Sequence, residues 1–217
     1  MKVTDITPQQ KKTGRFNLYV DGVFTLGLGS STIALFNLYK GKDLSDEDLD
    51  EIIKSEIYSK FYDRAFTYTT GAVKSEKTVR QYLKRVYLKK KKVWIGDNLD
   101  YDLEETISKV ISKLKEYGLL NDKEYAQLFV SSRERSKPRS KTAIANELRL
   151  KGISNEDIET ALESVSDDDM IYNVYVKKYG EKPFDANEQP KVVAFLARKG
   201  FSWDLISKLE RRLKGDI

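Results

Sequence analysis

The sequence predicts a mainly α-helical protein: three tandem three-helix repeats forming an elongated, curved array, preceded by a small β-hairpin-containing N-terminal module. Three observations carry that reading. The pattern Leu148-x-x-Lys151-Gly152-x-Ser154-x-x-x-Ile158 recurs 48 residues later as Leu196-x-x-Lys199-Gly200-x-Ser202-x-x-x-Ile206. Ser75, Val79 and Leu83 match Ser140, Ile144 and Leu148 at an offset of 65, which supplies an earlier copy. The hydrophobic period is two near the N-terminus and helical after residue 45.

Residues 1–45 read as a β-rich module. Phe16, Leu18 and Val20 alternate up to Asp21-Gly22, and Phe24, Leu26 and Leu28 continue beyond it, which predicts a hairpin with its tight turn at Asp-Gly. Val3 and Ile6 fit a third strand. Ser30 or Ser31 is expected to cap a short helix through Ile33, Ala34, Phe36 and Leu38, with Gly41 as its stop. The module suits a packed N-terminal lid, as the ends of repeat arrays need one, more readily than a docking surface.

The first helical repeat spans 46–118. Ser45 with Asp48 predicts a capping box, followed by a long helix with Leu49, Ile52, Ile53, Ile57, Phe61, Ala65 and Tyr68 on one face and Gly71 at its end. Its second helix starts at Ser75. Its third is marked by Ile111-Ser112-Lys113-Leu114, which returns as Ile206-Ser207-Lys208-Leu209. Second helices of the first and last repeats lie 113 residues apart and third helices 95, so the first repeat carries an insert of 18 residues. This insert, about 87–105, fits a helix extension or a basic hairpin. Repeat 2 occupies 119–165, opening with a helix over Asp122–Arg133, and repeat 3 occupies 166–217, opening over Asp168–Tyr179. In each, the Lys-Gly pair is a helix C-cap and the serine two residues on caps the next helix. Pro138 and Pro183 fall between first and second helices, where a break is wanted.

Composition narrows the function. The chain has no Cys and no His, which removes disulfides, zinc sites, thiol nucleophiles and imidazole catalysis. No phosphate loop or strand-turn-helix serine nucleophile occurs, so the expectation is a non-enzyme with no cofactor and no metal site. Asp167-Asp168-Asp169 sits at a helix entry, where capping explains it better than metal binding. No apolar run approaches the roughly 18 residues of a membrane span, and no apolar leader follows Met1, so a cytoplasmic protein is expected.

Charge is unevenly placed. Lys and Arg number 39 against 34 Asp and Glu. Residues 74–94 hold nine basic side chains and one acidic, and 133–151 hold seven and two. The main binding candidate is Arg133, Arg135, Lys137, Arg139 and Lys141, a basic link ending at a helix N-terminus, whose N–H groups would add to the attraction for an anion. Lys89, Lys90, Lys91 and Lys92, between Tyr87 and Trp94, form a second candidate. Arg198, Lys199, Arg211 and Arg212 give the last repeat a basic surface. A solvated helical surface is the plain alternative for each.

Gly118-Leu119-Leu120-Asn121-Asp122-x-x-Tyr125-Ala126, the Lys151–Ser154 turn and Leu196-Ala197-Arg198-Lys199-Gly200-Phe201-Ser202, in this order and spacing, resemble RecX, the family of bacterial recombination regulators. The likeness runs from about residue 55 to the end, and the N-terminal module is similar to an extension carried by longer members. The first repeat departs, with Val86-Tyr87 in place of Lys-Gly. The resemblance implies a partner, RecA, bound in the groove or at the ends of its filament on DNA, and inhibition of filament extension, ATPase and strand exchange in recombination, repair and the SOS response. It implies sequence-independent contact with single- or double-stranded DNA. A monomer is expected. The other reading is a helical DNA-binding protein acting by competition for DNA alone.

Overall fold

The computed structural model describes residues 1–10, 13–94, 101–185 and 187–215, with backbone alone for 91–94. Among them a three-stranded sheet precedes ten helices. Strands β1 (Val3–Pro8), β2 (Arg15–Val20) and β3 (Val23–Gly29) pair antiparallel in that order. Asp21 and Gly22 turn the hairpin at φ 49° and 81°, the left-handed region that Gly reaches freely and Asp tolerates. Val3 and Ile6 do lie in the third strand.

The alternation is nevertheless broken. Leu18 opposes Leu26, yet Tyr19 opposes Phe24, so Thr25 is an extra residue in β3. This bulge switches the strand's faces, and Phe24 is left 53% exposed against the edge of Tyr19, at 5.9 Å, instead of joining Leu28 inside. Helix α1 (Ser30–Leu35) also differs from expectation. Gly29 stands at its N-cap without any side-chain bond, and Ser30 is the first helical residue. It ends before Leu38 because Asn37 takes φ 46°, and the N–H groups of Asn37 and Leu38 return to Ala34 and Ile33. Gly41 is not the stop; its N–H donates to the Val3 carbonyl at 2.7 Å.

Helix α2 (Asp46–Thr70) opens with the expected capping box: Ser45 Oγ accepts the Asp48 N–H at 3.0 Å and the Asp48 carboxylate accepts the Ser45 N–H at 2.9 Å. Its Ile52 packs with Val3, Leu18, Val20, Leu28, Leu38 and Leu44, while Ile57, Phe61 and Ala65 pack with α3 (Glu76–Trp94) and α4 (Leu103–Glu116). A buried carboxylate joins these layers. Glu56, 1% exposed, accepts the Arg15 guanidinium at 2.5 Å, the Gly29 N–H at 2.9 Å and the Thr32 hydroxyl at 3.0 Å, with Lys60 at 3.5 Å. Sheet, α1 and α2 are thereby tied at one group, which is satisfied on every side that burial strips of water.

Over 87–94 the insert continues helix α3, which runs through Trp94. Residues 95–100, including Asp97-Asn98, lie outside the described residues. The chain divides into two compact units, 1–72 with 79–120 and 73–78 with 121–217. The second contains α5 (Asp122–Ser136), α6 (Lys141–Leu150), α7 (Asn155–Leu162), α8 (Asp167–Tyr179), α9 (Gln189–Arg198) and α10 (Trp203–Lys214). The repeated leucines and isoleucines, Leu148 with Leu196 and Ile158 with Ile206, meet in one continuous core with Ala126, Val130, Ile171 and Val174. Pooling two small repeats into one core is how units of this size bury enough apolar surface.

Candidate functional site

Both Lys-Gly turns are Schellman ends. Gly152 and Gly200 adopt φ 83° and 92°, and the Ile153 and Phe201 N–H groups reach back to Leu148 and Leu196. The same turns also dock onto the start of a helix earlier in the chain, that of α3 and that of α6. Lys151 offers its carbonyl to Ser75 Oγ at 2.8 Å, and Lys199 offers its carbonyl to the Ser140 N–H at 3.1 Å. The approach is so close that a Cβ on Gly200 would lie 2.6 Å from Ser140 Oγ, and one on Gly152 2.8 Å from Lys77 Cβ. The N-terminus of each second helix is then closed from another direction, because Asp122 accepts the Glu76 N–H at 2.8 Å and Asp167 accepts the Lys141 N–H at 2.7 Å.

This geometry corrects one expectation. The start of α6 is not an open anion site, because Ser140 Oγ takes the Ala143 N–H and the Asp167 carboxylate takes that of Lys141. The protein supplies its own anion there. The Asp167–Asp169 run does serve helix ends, with a division of labour: Ser166 caps α8, Asp167 reaches α6, and Asp168 pairs with Lys208 at 2.9 Å. Among the described residues no three carboxylates gather as a metal site would need.

The basic candidates fall into different roles. Arg133 binds Glu147 through Nε and Nη2, both at 2.7 Å, and its guanidinium covers the Phe129 ring at 4.4 Å. Arg139 takes the other oxygen of Glu147 at 3.1 Å. These two arginines clamp α5, the link and α6 together. Arg135 and Lys137 are exposed; Arg135 Nε touches only the Ser131 carbonyl of its own helix, at 3.2 Å. The Ser140–Lys199 bond brings Arg139 and Lys141 together with Arg198 and Lys199, two clusters far apart in sequence. On α10, Arg211 is exposed and Arg212 stacks over the Tyr172 ring at 4.2 Å. Lys89 and Lys90 are exposed on α3, in the other compact unit, and the side chains of Lys91 and Lys92 lie outside the described residues. Tyr87, the expected stacking platform beside them, is half-buried between Phe61 and Tyr101. Sequence reasoning missed Glu147, whose signal was only that it is one of two acids in a basic stretch.

Fold and surface define a class: a protein of tandem three-helix repeats, the second and third locked together by a turn and a carboxylate, with arginines and lysines gathered at their junction. The chain belongs to the RecX family. It matches the RecX N-terminal domain over 1–45, the second three-helix domain over 121–162 and the third over 166–209. It is 31% identical to the regulatory protein RecX of Bacillus subtilis and 30% to that of Bacillus velezensis, each match covering 94% of this chain and 74% of the relative. A crystal structure of regulatory protein RecX superposes with a TM-score of 0.67 at 25% identity, over 95% of this chain and 97% of the other. RecX from Lactobacillus salivarius gives 0.55 at 26%, over 72% and 96%.

Proposed function

We propose that this chain is a non-enzymatic regulator that binds RecA and its filaments on DNA and restrains filament extension, and with it ATP hydrolysis and strand exchange, in the cytoplasm. Membership of a regulatory family supports it, and one structural observation carries it: repeats 2 and 3 share a core and interlocked helix ends, which present Arg135, Lys137, Lys141, Arg198, Lys199 and Arg211 from a fixed frame. Such a frame offers positive charge to an acidic protein groove or to phosphates without losing much conformational freedom on binding. Arg133, Arg139 and Glu147 hold the frame, and Arg212 is braced on Tyr172. Lys89 to Lys92 add a second basic stretch for either partner. Contacts would go to phosphates rather than base edges, since a filament forms on any sequence. No helix among the described residues is long and apolar enough to cross a membrane.

The test is RecA-dependent ATP hydrolysis on single-stranded DNA, with the chain titrated from far below the RecA concentration to above it. Inhibition at a small molar ratio is expected. Inhibition only as the DNA becomes saturated would replace the proposal with competition for DNA.

A further inference from the structure

Two lysines of repeat 3 converge on one aromatic ring. Lys178 Nζ, in the last turn of α8, lies 4.0 Å from the centroid of Phe195 and 4.9 Å from that of Tyr179; Lys199 Nζ, after α9, lies 5.7 Å from Phe195. The rings meet edge to face at 5.9 Å. Helix C-termini account for a cation near the end of each helix. They do not account for both side chains folding over the same ring. No carboxylate of the described residues lies within ion-pair distance of Lys178, Arg198 or Lys199, whereas Arg133, Arg139, Lys208 and Lys214 all have one. The Lys199 carbonyl bonds Ser140, so the positive set adjoins Lys141 of α6.

We infer that Lys178 and Lys199, gathered over Phe195, together with the exposed Arg198 next to Lys199 in the chain, bind the phosphodiester backbone of a single-stranded nucleic acid. The inference rests on the proposed function in taking DNA as a partner, and it assigns the strand a site. The ring holds the two ammonium groups in place before binding, so less freedom is lost when a phosphate arrives. Lysines are point charges that accept phosphates over many angles, as contact without base readout requires. Phe195 and Tyr179 beside them supply aromatic surface, and cations next to aromatics are the pairing that single strands use. Two of the three cations are lysines, whereas a carboxylate surface favours the bidentate forks of arginine.

Fluorescence anisotropy with a fluorescein-labelled oligothymidine, the full chain and a series of salt concentrations tests this. Each phosphate contact on a single strand adds about 0.7 to the slope of log affinity against log salt, so the double substitution Lys178→Gln, Lys199→Gln lowers the slope by about 1.4. Between 1 M and 0.1 M salt that amounts to about a 25-fold loss of affinity. Phe195→Leu, which keeps both charges and most of the volume, is expected to weaken binding several-fold at an unchanged slope. Unaltered affinity and slope in a double variant that melts like the parent overturns the assignment. So does loss of RecA ATPase inhibition with oligothymidine affinity intact, which would give the surface to an acidic protein partner. Inhibition by the unsubstituted chain reports on the filament reading by itself, so the two failures are distinguishable.

Discussion

Gly200→Ala isolates the contact between repeats. Gly200 sits at φ 92°, and an alanine there meets Ser140 Oγ at 2.6 Å and Ala143 Cβ at 2.7 Å. The left-handed conformation alone costs alanine about 1–2 kcal/mol. Relieving the collision requires Ser140 to leave the Ala143 N–H, which forfeits a helix cap worth about 1 kcal/mol, and loosens the 3.1 Å bond from Ser140 to Lys199. About 3 kcal/mol is therefore expected. Gly118 supplies the control: it has φ 67°, and a Cβ there would meet nothing within 4 Å, so Gly118→Ala carries the backbone cost of about 1–2 kcal/mol and no more. Urea unfolding of both variants by circular dichroism measures the difference. If Gly200→Ala is no worse than Gly118→Ala, the turn is merely a helix end and the account of interlocked repeats fails.

Other consequences are as direct. Glu56→Ala strands the Arg15 guanidinium and the Gly29 N–H, and is expected to destabilise the N-terminal unit by about 3 kcal/mol; a urea midpoint unchanged from the parent would show the carboxylate to be dispensable. Burial pushes the Tyr101 phenol up to about 12 from 10.0. Folding thus favours the neutral phenol, so its contribution is complete below pH 10 and is lost as pH rises toward 12; Tyr101→Phe should flatten the alkaline fall in stability, and parallel curves for the two proteins over that range would refute it. Arg135→Glu with Lys137→Glu changes charge without touching the clamp on Glu147, and is expected to weaken filament association at least tenfold with an unchanged melting temperature. Reversing Arg133 and Arg139 as well would confuse that reading, because both hold α5 to α6. Full binding by the Arg135, Lys137 variant in a filament pull-down would remove these two residues from the interface.

Helix positions were legible because caps and periodicity are local. Ser45 with Asp48, and Ser140, Ser154 and Ser202, all stand where the sequence put them, and the repeated Leu and Ile pairs are core. What escaped was non-local. The bulge at Thr25 shows only against the partner strand, Glu56 looks like any helical acid until Arg15 and Gly29 close on it, and Asp122 and Asp167 cap helices more than 25 residues away. At Val86-Tyr87, where the later repeats carry Lys-Gly, no such turn forms and α3 continues to Trp94. Charge counting found the basic junction but not its division of labour, because pairing with Glu147 depends on tertiary distance.

The central claim, a regulator acting on the filament rather than on free DNA, is tested most directly by a chase. RecA filaments hydrolysing ATP receive the chain at a small fraction of the RecA concentration, followed by a large excess of bare single-stranded DNA that RecA is prevented from loading. Inhibition that persists through the chase is the predicted result. Full recovery of hydrolysis on adding the DNA would contradict it and leave competition for DNA as the mechanism.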